Sequence, residues 1–254
     1  MHGCAGVNAL ARHAGKGHLW GMEAAQTSPS KPDFRHVRNW IFDLDNTLYR
    51  ADNGIFAQID ARMTMFVGKL LGTDPVAARA VQKTLYREHG TTLNGLIKVH
   101  GIDPEPYLDF VHDIALDDLP ADPALSAAIT ALPGRRYVFT NGCRRHAARI
   151  LDRLQMAHLF DEVWDIRTIG FTPKPDPIAY ERVLAHAGVA ARGAAMFDDI
   201  ARNLVTPHEM GMTTVWLAAD SSWARQGPEF PVATGAHIDH ETRDLTHFLS
   251  TIET

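Results

Sequence analysis

Two aspartates, Asp43 and Asp45, stand two residues apart in Asp43-Leu44-Asp45-Asn46-Thr47, just where the apolar run of residues 37–42 stops. Carboxylates so spaced at a strand end can turn into one crevice, one to attack an electrophile and the other to pass a proton; the same residues also favour an ordinary turn. Thr140-Asn141-Gly142 offers a hydroxyl and a flexible backbone ahead of a helix whose first amides can receive an anion, although a plain helix cap reads the same way. Lys174 lies between Pro173 and Pro175, which stiffen the loop and can aim the ammonium at a phosphate, whereas an isolated loop lysine is usually just solvated. Asp198 and Asp199 follow a short apolar run, with Asn203 a helical turn later. Hard oxygen donors of this kind suit Mg²⁺, and Asp199 could equally cap a helix.

These residues need elements that bring them together. Residues 37–42 read as a buried strand that ends in acids. Helical periodicity then fills residues 55–71, 74–89, 92–100 and 105–115 with no strand between them, closed by Gly72, Gly90 and Gly101. From Ala121 the pattern alternates: helices at 123–132, 144–155, 177–187, near 200–210 and about 241–252, and strands at 136–140, 162–166, 194–197 and 213–217. Pro207 should kink or shorten its helix. Such alternation predicts an α/β fold with a parallel sheet covered on both faces. Ligands of such a sheet bind outside the carboxyl ends of its strands, where Asp43, Thr140 and Asp198-Asp199 fall. The expected organisation is a flexible extension over residues 1–33, a core domain of residues 34–52 and 121–254, and a helical insertion at 53–120.

The 254-residue length allows one such domain with an insert, and 45% hydrophobic with 22% charged residues places it among soluble globular chains. A net charge of -5 gives no extended basic surface for a nucleic-acid polymer or an anionic membrane. No apolar run approaches the roughly 18–20 residues of a membrane span, and the first thirty residues lack a secretory apolar core. Cys4 and Cys143 make neither a disulfide framework nor a zinc spacing, so a reducing cytoplasm is expected. His2, His13 and His18 could bind a metal only at the entropic cost of ordering a loose tail, so no metal site is expected there.

Taken in order, D-x-D-x-T, T-N-G, K-P and D-D-x-x-x-N resemble the haloacid dehalogenase-like superfamily, over about residues 37–217. The resemblance implies a Rossmann-like core with a helical cap inserted between the first two motifs. It makes Asp43 the nucleophile that becomes an aspartyl-phosphate, and Asp45 the general acid that later acts as base. Thr140, Asn141 and Lys174 would bind phosphate. Mg²⁺ would be held by Asp43, the backbone carbonyl of Asp45, and Asp199, with Asp198 supporting them; Asn203 stands where the family often has Asp. To deliver a proton, Asp45 is expected to have a raised pKa. Halide needs no proton to leave, so Asp45 argues against a dehalogenase.

Residues 85–96, Val111-His112-Asp113 and the opening residues 42–49 are similar to pyrimidine 5′-nucleotidases of this superfamily, with His89 where many have Tyr. That implies a small phosphorylated substrate, a nucleoside monophosphate of the UMP or CMP kind. Tyr86 and Leu96 are either substrate contacts or helix packing, Cys143 a small filler, and His146 part of a solvated helix face. The alternatives are a phosphatase or mutase acting on phosphoglycolate or a sugar phosphate, or a non-catalytic binding protein. Oligomeric state is not legible.

Overall fold

The computed structural model describes residues 31–218 and 235–254. The expected extension over residues 1–33 lies outside these but for its last three residues. β1 (Asn39–Phe42), β2 (Arg135–Phe139), β3 (Glu162–Trp164), β4 (Ala194–Asp198), β5 (Thr213–Leu217) and β6 (His240–Thr242) form one parallel sheet in the order β3-β2-β1-β4-β5-β6. Strand order reverses on either side of β1, which opens a crevice at its carboxyl end.

Alternation along the strands separates two cores. Trp40, Phe42, Val138, Phe197 and Val215 face one side, and Ile41, Tyr137, Phe139 and Met196 the other. The first side is covered by α5 (Pro123–Thr130), α6 (Arg144–Arg153) and α9 (Leu245–Thr251). The second takes α7 (Pro177–Ala187) and also receives side chains from the first four helices after β1. Those helices are α1 (Ile55–Leu71), α2 (Pro75–His89), α3 (Thr92–His100) and α4 (Pro104–Val111). Asp74, Thr91 and Asp103 cap three of them by accepting backbone N–H bonds, while Gly72 and Gly101 close α1 and α3 in the left-handed conformation. Leu85, Leu96, Tyr107 and Val111 of this block lie in the same apolar cluster as Phe139 and Met196, so the insertion shares its core with the sheet.

Three expected elements differ. The last helix starts at Leu245 rather than 241, because residues 240–242 pair with β5 as an edge strand and Asp244 caps the helix behind them. The helix expected over 200–210 splits into a 3₁₀ turn, Ala201–Leu204, and a short α8, Val205–Glu209, with Pro207 in the first turn, where a backbone donor is not required. The helix expected at 105–115 ends at Val111. Beyond it Arg149 takes the carbonyls of His112 and Ile114, and the Gln58 amide exchanges two bonds with the backbone of Ala115. Among the described residues no helix is long and apolar enough to cross a membrane.

Candidate active site

Asp43 follows β1 directly, and its backbone N–H donates to Phe197 of β4 at 2.8 Å, which anchors it between two strands. Lys174 is its charged partner. The ammonium donates to Asp43 Oδ1 at 2.7 Å, Asp198 Oδ2 at 2.7 Å and the Phe139 carbonyl at 2.9 Å, so three N–H bonds have three acceptors in a position only 1% exposed. Burial works against that charge, but Asp198 and Asp43 outweigh it and hold the lysine above its usual pKa. The loop carrying Lys174 is clamped by Asn141, whose Oδ1 accepts from the Lys174 N–H at 2.9 Å and whose Nδ2 donates to the Lys174 carbonyl at 3.3 Å. Asn141, expected to bind phosphate, therefore uses its side-chain oxygen and one Nδ2 hydrogen on the lysine loop, which leaves its backbone amide and the second Nδ2 hydrogen for an anion. Thr140 is buried after β2, its Oγ1 accepting from the Gly142 N–H at 2.9 Å; its hydroxyl hydrogen remains to be donated.

Asp198 ends β4, and the Ile200 N–H, Asn203 Nδ2 and Lys174 all donate to its two oxygens. Asn203 thus holds Asp198, a role its sequence position alone left open. Asp199 is freer, accepting from Asn46 Nδ2 at 3.3 Å. Oxygens of Asp43, Asp198 and Asp199 lie within 4.8 Å of one another. Three carboxylates around one ammonium leave an excess of negative charge, and the pKa directions reflect it. Burial, opposed by Lys174 and reinforced by Asp198 and Asp45, pushes Asp43 up to about 7. Burial and then Asp43 and Asp198 push Asp199 well above the carboxylate range. Asn46, which donates to Asp199, has its Oδ1 buried without a hydrogen-bond partner among the described residues. Hard oxygens, surplus negative charge and an orphaned acceptor fit a divalent cation such as Mg²⁺.

Asp45 departs from expectation. Burial would raise its pKa, but His146 and then the Tyr49 hydroxyl outweigh that and hold it below the ordinary value. His146 Nε2 lies 2.7 Å from Asp45 Oδ1, and Tyr49 donates to the same oxygen at 2.5 Å. His146 is completely buried, not on a solvated face. The signal was in the spacing: His146, Ala147, Ile150 and Leu151 make the buried side of α6, at intervals that place the histidine on the apolar stripe. Cys143 is buried beside it, as a small filler would be, with its Sγ 3.3 Å from His112 Nδ1. In the insertion, Leu96 is wholly packed in the core. Tyr86 instead lies under the Arg202 guanidinium at 4.6 Å, and Arg202 also donates to the Gly90 carbonyl at 2.7 Å.

A Rossmann-like sheet with a helical insertion after its first strand, and aspartates gathered at the strand ends, define a class of hydrolase. The sequence matches the haloacid dehalogenase-like hydrolases over residues 37–211, and the chain belongs to this family. It is 32% identical over 214 residues to Phosphate metabolism protein 8 of Saccharomyces cerevisiae, an alignment covering 77% of this chain and 66% of that protein. The chain thus spans just under two thirds of that relative's length. Among solved structures it is similar to a HAD-hydrolase from Bacillus subtilis bound to magnesium (TM-score 0.54, 16% identity, 84% of this chain and 97% of that one). It is likewise similar to a HAD phosphatase from Thermococcus onnurineus (0.54, 18%, 84% and 97%). A third is the L-2-haloacid dehalogenase from Xanthobacter autotrophicus with chloropropionic acid covalently bound (0.52, 16%, 84% and 97%). At such identities the likeness is one of fold.

Proposed function

We propose that the protein is a Mg²⁺-dependent phosphate monoester hydrolase that works through an aspartyl-phosphate on Asp43 and acts on pyrimidine nucleoside 5′-monophosphates. The observation that carries this reading is the buried Lys174–Asp43 pair followed, two residues on, by Asp45 in a different hydrogen-bond environment. Asp43 attacks phosphorus, an oxygen–phosphorus bond forms to its carboxylate, and the ester bond breaks as Asp45, protonated once the anionic phosphate beside it opposes the hold of His146 and Tyr49, gives that proton to the leaving oxygen. Asp45 then takes a proton from the water that attacks phosphorus, releasing inorganic phosphate and restoring Asp43. Lys174 offsets the charge brought together by a carboxylate and a phosphate, and Thr140 and the Asn141 amide bind phosphate oxygens. Asp43, Asp199 and the Asp45 carbonyl would hold Mg²⁺, with Asp198 behind them; when bound, the metal neutralises charge and favours in-line geometry.

The fold is shared by phosphatases and dehalogenases, so the choice between them rests on Asp45, which a halide leaving group does not need. Residues 53–120 act as a cap over a core of 34–52 and 121–254, and Tyr86, under the Arg202 guanidinium, and His112, stacked on His146, are cap residues that meet the core close to the chemistry. A buried free Cys143 suits a reducing cytoplasm.

A panel of monophosphates, read by released phosphate, tests the substrate. UMP and CMP, or their deoxy forms, are expected to give a higher kcat/KM than AMP and GMP, because a pocket shaped for one ring excludes two. Preference for a purine nucleotide, phosphoglycolate or a sugar phosphate would overturn the pyrimidine assignment and leave the phosphatase standing, while recovery of a rearranged phosphate ester would indicate a mutase. Chelation should abolish turnover, Mg²⁺ restore it and Ca²⁺ restore little, since the larger ion tolerates looser ligation. Full activity after exhaustive chelation would rule out the metal.

A further inference from the structure

The reading of Asp45 as general acid and base leaves open how one carboxyl group is made to present a particular oxygen. Both of its donors, His146 Nε2 at 2.7 Å and the Tyr49 hydroxyl at 2.5 Å, meet Oδ1, and Oδ2 takes no hydrogen bond among the described residues. We propose that His146 is a positioning residue for Asp45: together with Tyr49 it pins Oδ1 as an acceptor, so that Oδ2 carries the transferred proton toward the leaving oxygen. The inference rests on the phosphatase reading above.

Among the described residues, the polar atoms of His146 meet no partner but Asp45. It sits in the first turn of α6, on the face that otherwise buries Ala147, Ile150 and Leu151, and its Nδ1 is buried with no hydrogen-bond partner among the described residues. A buried N–H left without an acceptor is rarer than a buried lone pair. The hydrogen therefore belongs on Nε2, where it can only donate to Asp45. The ring cannot swing away. His112, at the carboxyl end of α4, stacks on it with centroids 4.4 Å apart and planes 17° from parallel. His112 is itself fixed by its Nδ1, 3.0 Å from the Leu108 carbonyl. On another side is Gly142, where an added Cβ would come within 3.3 Å of His146 Cδ2 and 3.5 Å of His112 Nε2. The acid is thus oriented by a core helix and a ring from the inserted helices, and an apolar residue at 146 would pack but orient nothing.

A positioning role separates from a merely structural one by leaving group. A nucleoside monophosphate releases a basic alkoxide and needs the proton, whereas 2,4-dinitrophenyl phosphate releases a phenolate that does not. In the Mg²⁺-loaded full chain, His146→Leu should lower kcat/KM for the preferred nucleoside monophosphate about 10- to 100-fold, and for the dinitrophenyl ester by no more than about threefold. His146→Gln, which keeps an N–H at similar reach, should recover most of the loss. Tyr49→Phe, nearly isosteric, should reproduce the same asymmetry and serves as the test should His146→Leu fail to fold. An equal loss for both esters, or no loss for either, overturns the positioning role while the wild-type enzyme still hydrolyses both. Absence of turnover by the wild type overturns the phosphatase reading and this inference with it.

Discussion

Two aspartates two residues apart experience opposite influences, and the difference lies in what each touches. Asp43 faces an ammonium and two more carboxylates, and burial drives it up to about 7. Asp45 faces an imidazole and a phenol, which hold it below the ordinary value despite burial. With Lys174 as its one cation Asp43 ionises only near pH 7, and a second cation would bring that down. Asp43→Asn should lower turnover by about 1000-fold or more, because an amide is a poor nucleophile and a weak metal ligand. Asp45→Asn should still let Asp43 become phosphorylated by an activated ester, and then release phosphate slowly. Rapid-quench labelling distinguishes the two, and wild-type turnover in Asp43→Asn would remove it as nucleophile. The motif is what suggests a division of labour, but the environment of Asp45 was not legible in it. It depends on His146, 101 residues away in sequence, and on a tyrosine four positions on whose direction no periodicity specifies.

At the scale of elements, the sheet was readable because each central strand is a short apolar run between helical stretches, and because Asp, Thr and Gly mark helix ends by a local mechanism. What escaped were elements fixed by distant partners. β6 is three residues long and, among the described residues, pairs only with β5, so nothing in His240-Glu241-Thr242 itself argues for a strand. α4 stops early because Arg149 and Gln58 take the backbone groups that a longer helix would have used. The contact that aligns β1 with β2 is similarly tertiary. The Arg135 N–H donates to the Arg38 carbonyl at 2.9 Å, and just before it Gly134 has φ +91, with an added Cβ only 2.2 Å from that same oxygen. Both the dihedral and the clash are with backbone, so no rotamer relieves them. Gly134→Ala should cost about 1–3 kcal/mol, read as a lower denaturation midpoint, and should disturb the site because the two strands carry Asp43 and Thr140. An unchanged midpoint would mean that the turn is not built as described.

For the whole molecule, a site with two buried carboxylates on one ammonium and a third, half-buried one beside them is assembled for function against stability. The metal-free protein should reveal that cost through its pH dependence. Asp43 is raised from 3.8 to about 7, so the folded state binds its proton more tightly than the unfolded chain. Its contribution is fully present below about pH 4 and is lost as pH rises through 7. Asp199 is displaced in the same direction. His112, lowered to about 3 by burial and then by His146, acts the opposite way, gaining stability as pH rises from about 3 to 6.5. A single melting curve would mix these trends, and a comparison with Asp43→Asn separates them, because the His112 contribution is common to both proteins. In EDTA, the variant should gain on the wild type by a few degrees in Tm between pH 5 and pH 8. Saturating Mg²⁺ should reverse the order at pH 8, because the wild type regains the cation that its ionised carboxylates lack and the variant binds it weakly. A wild-type minus variant difference that stays constant across this range, with and without Mg²⁺, would show that Asp43 does not store the electrostatic cost assigned to it.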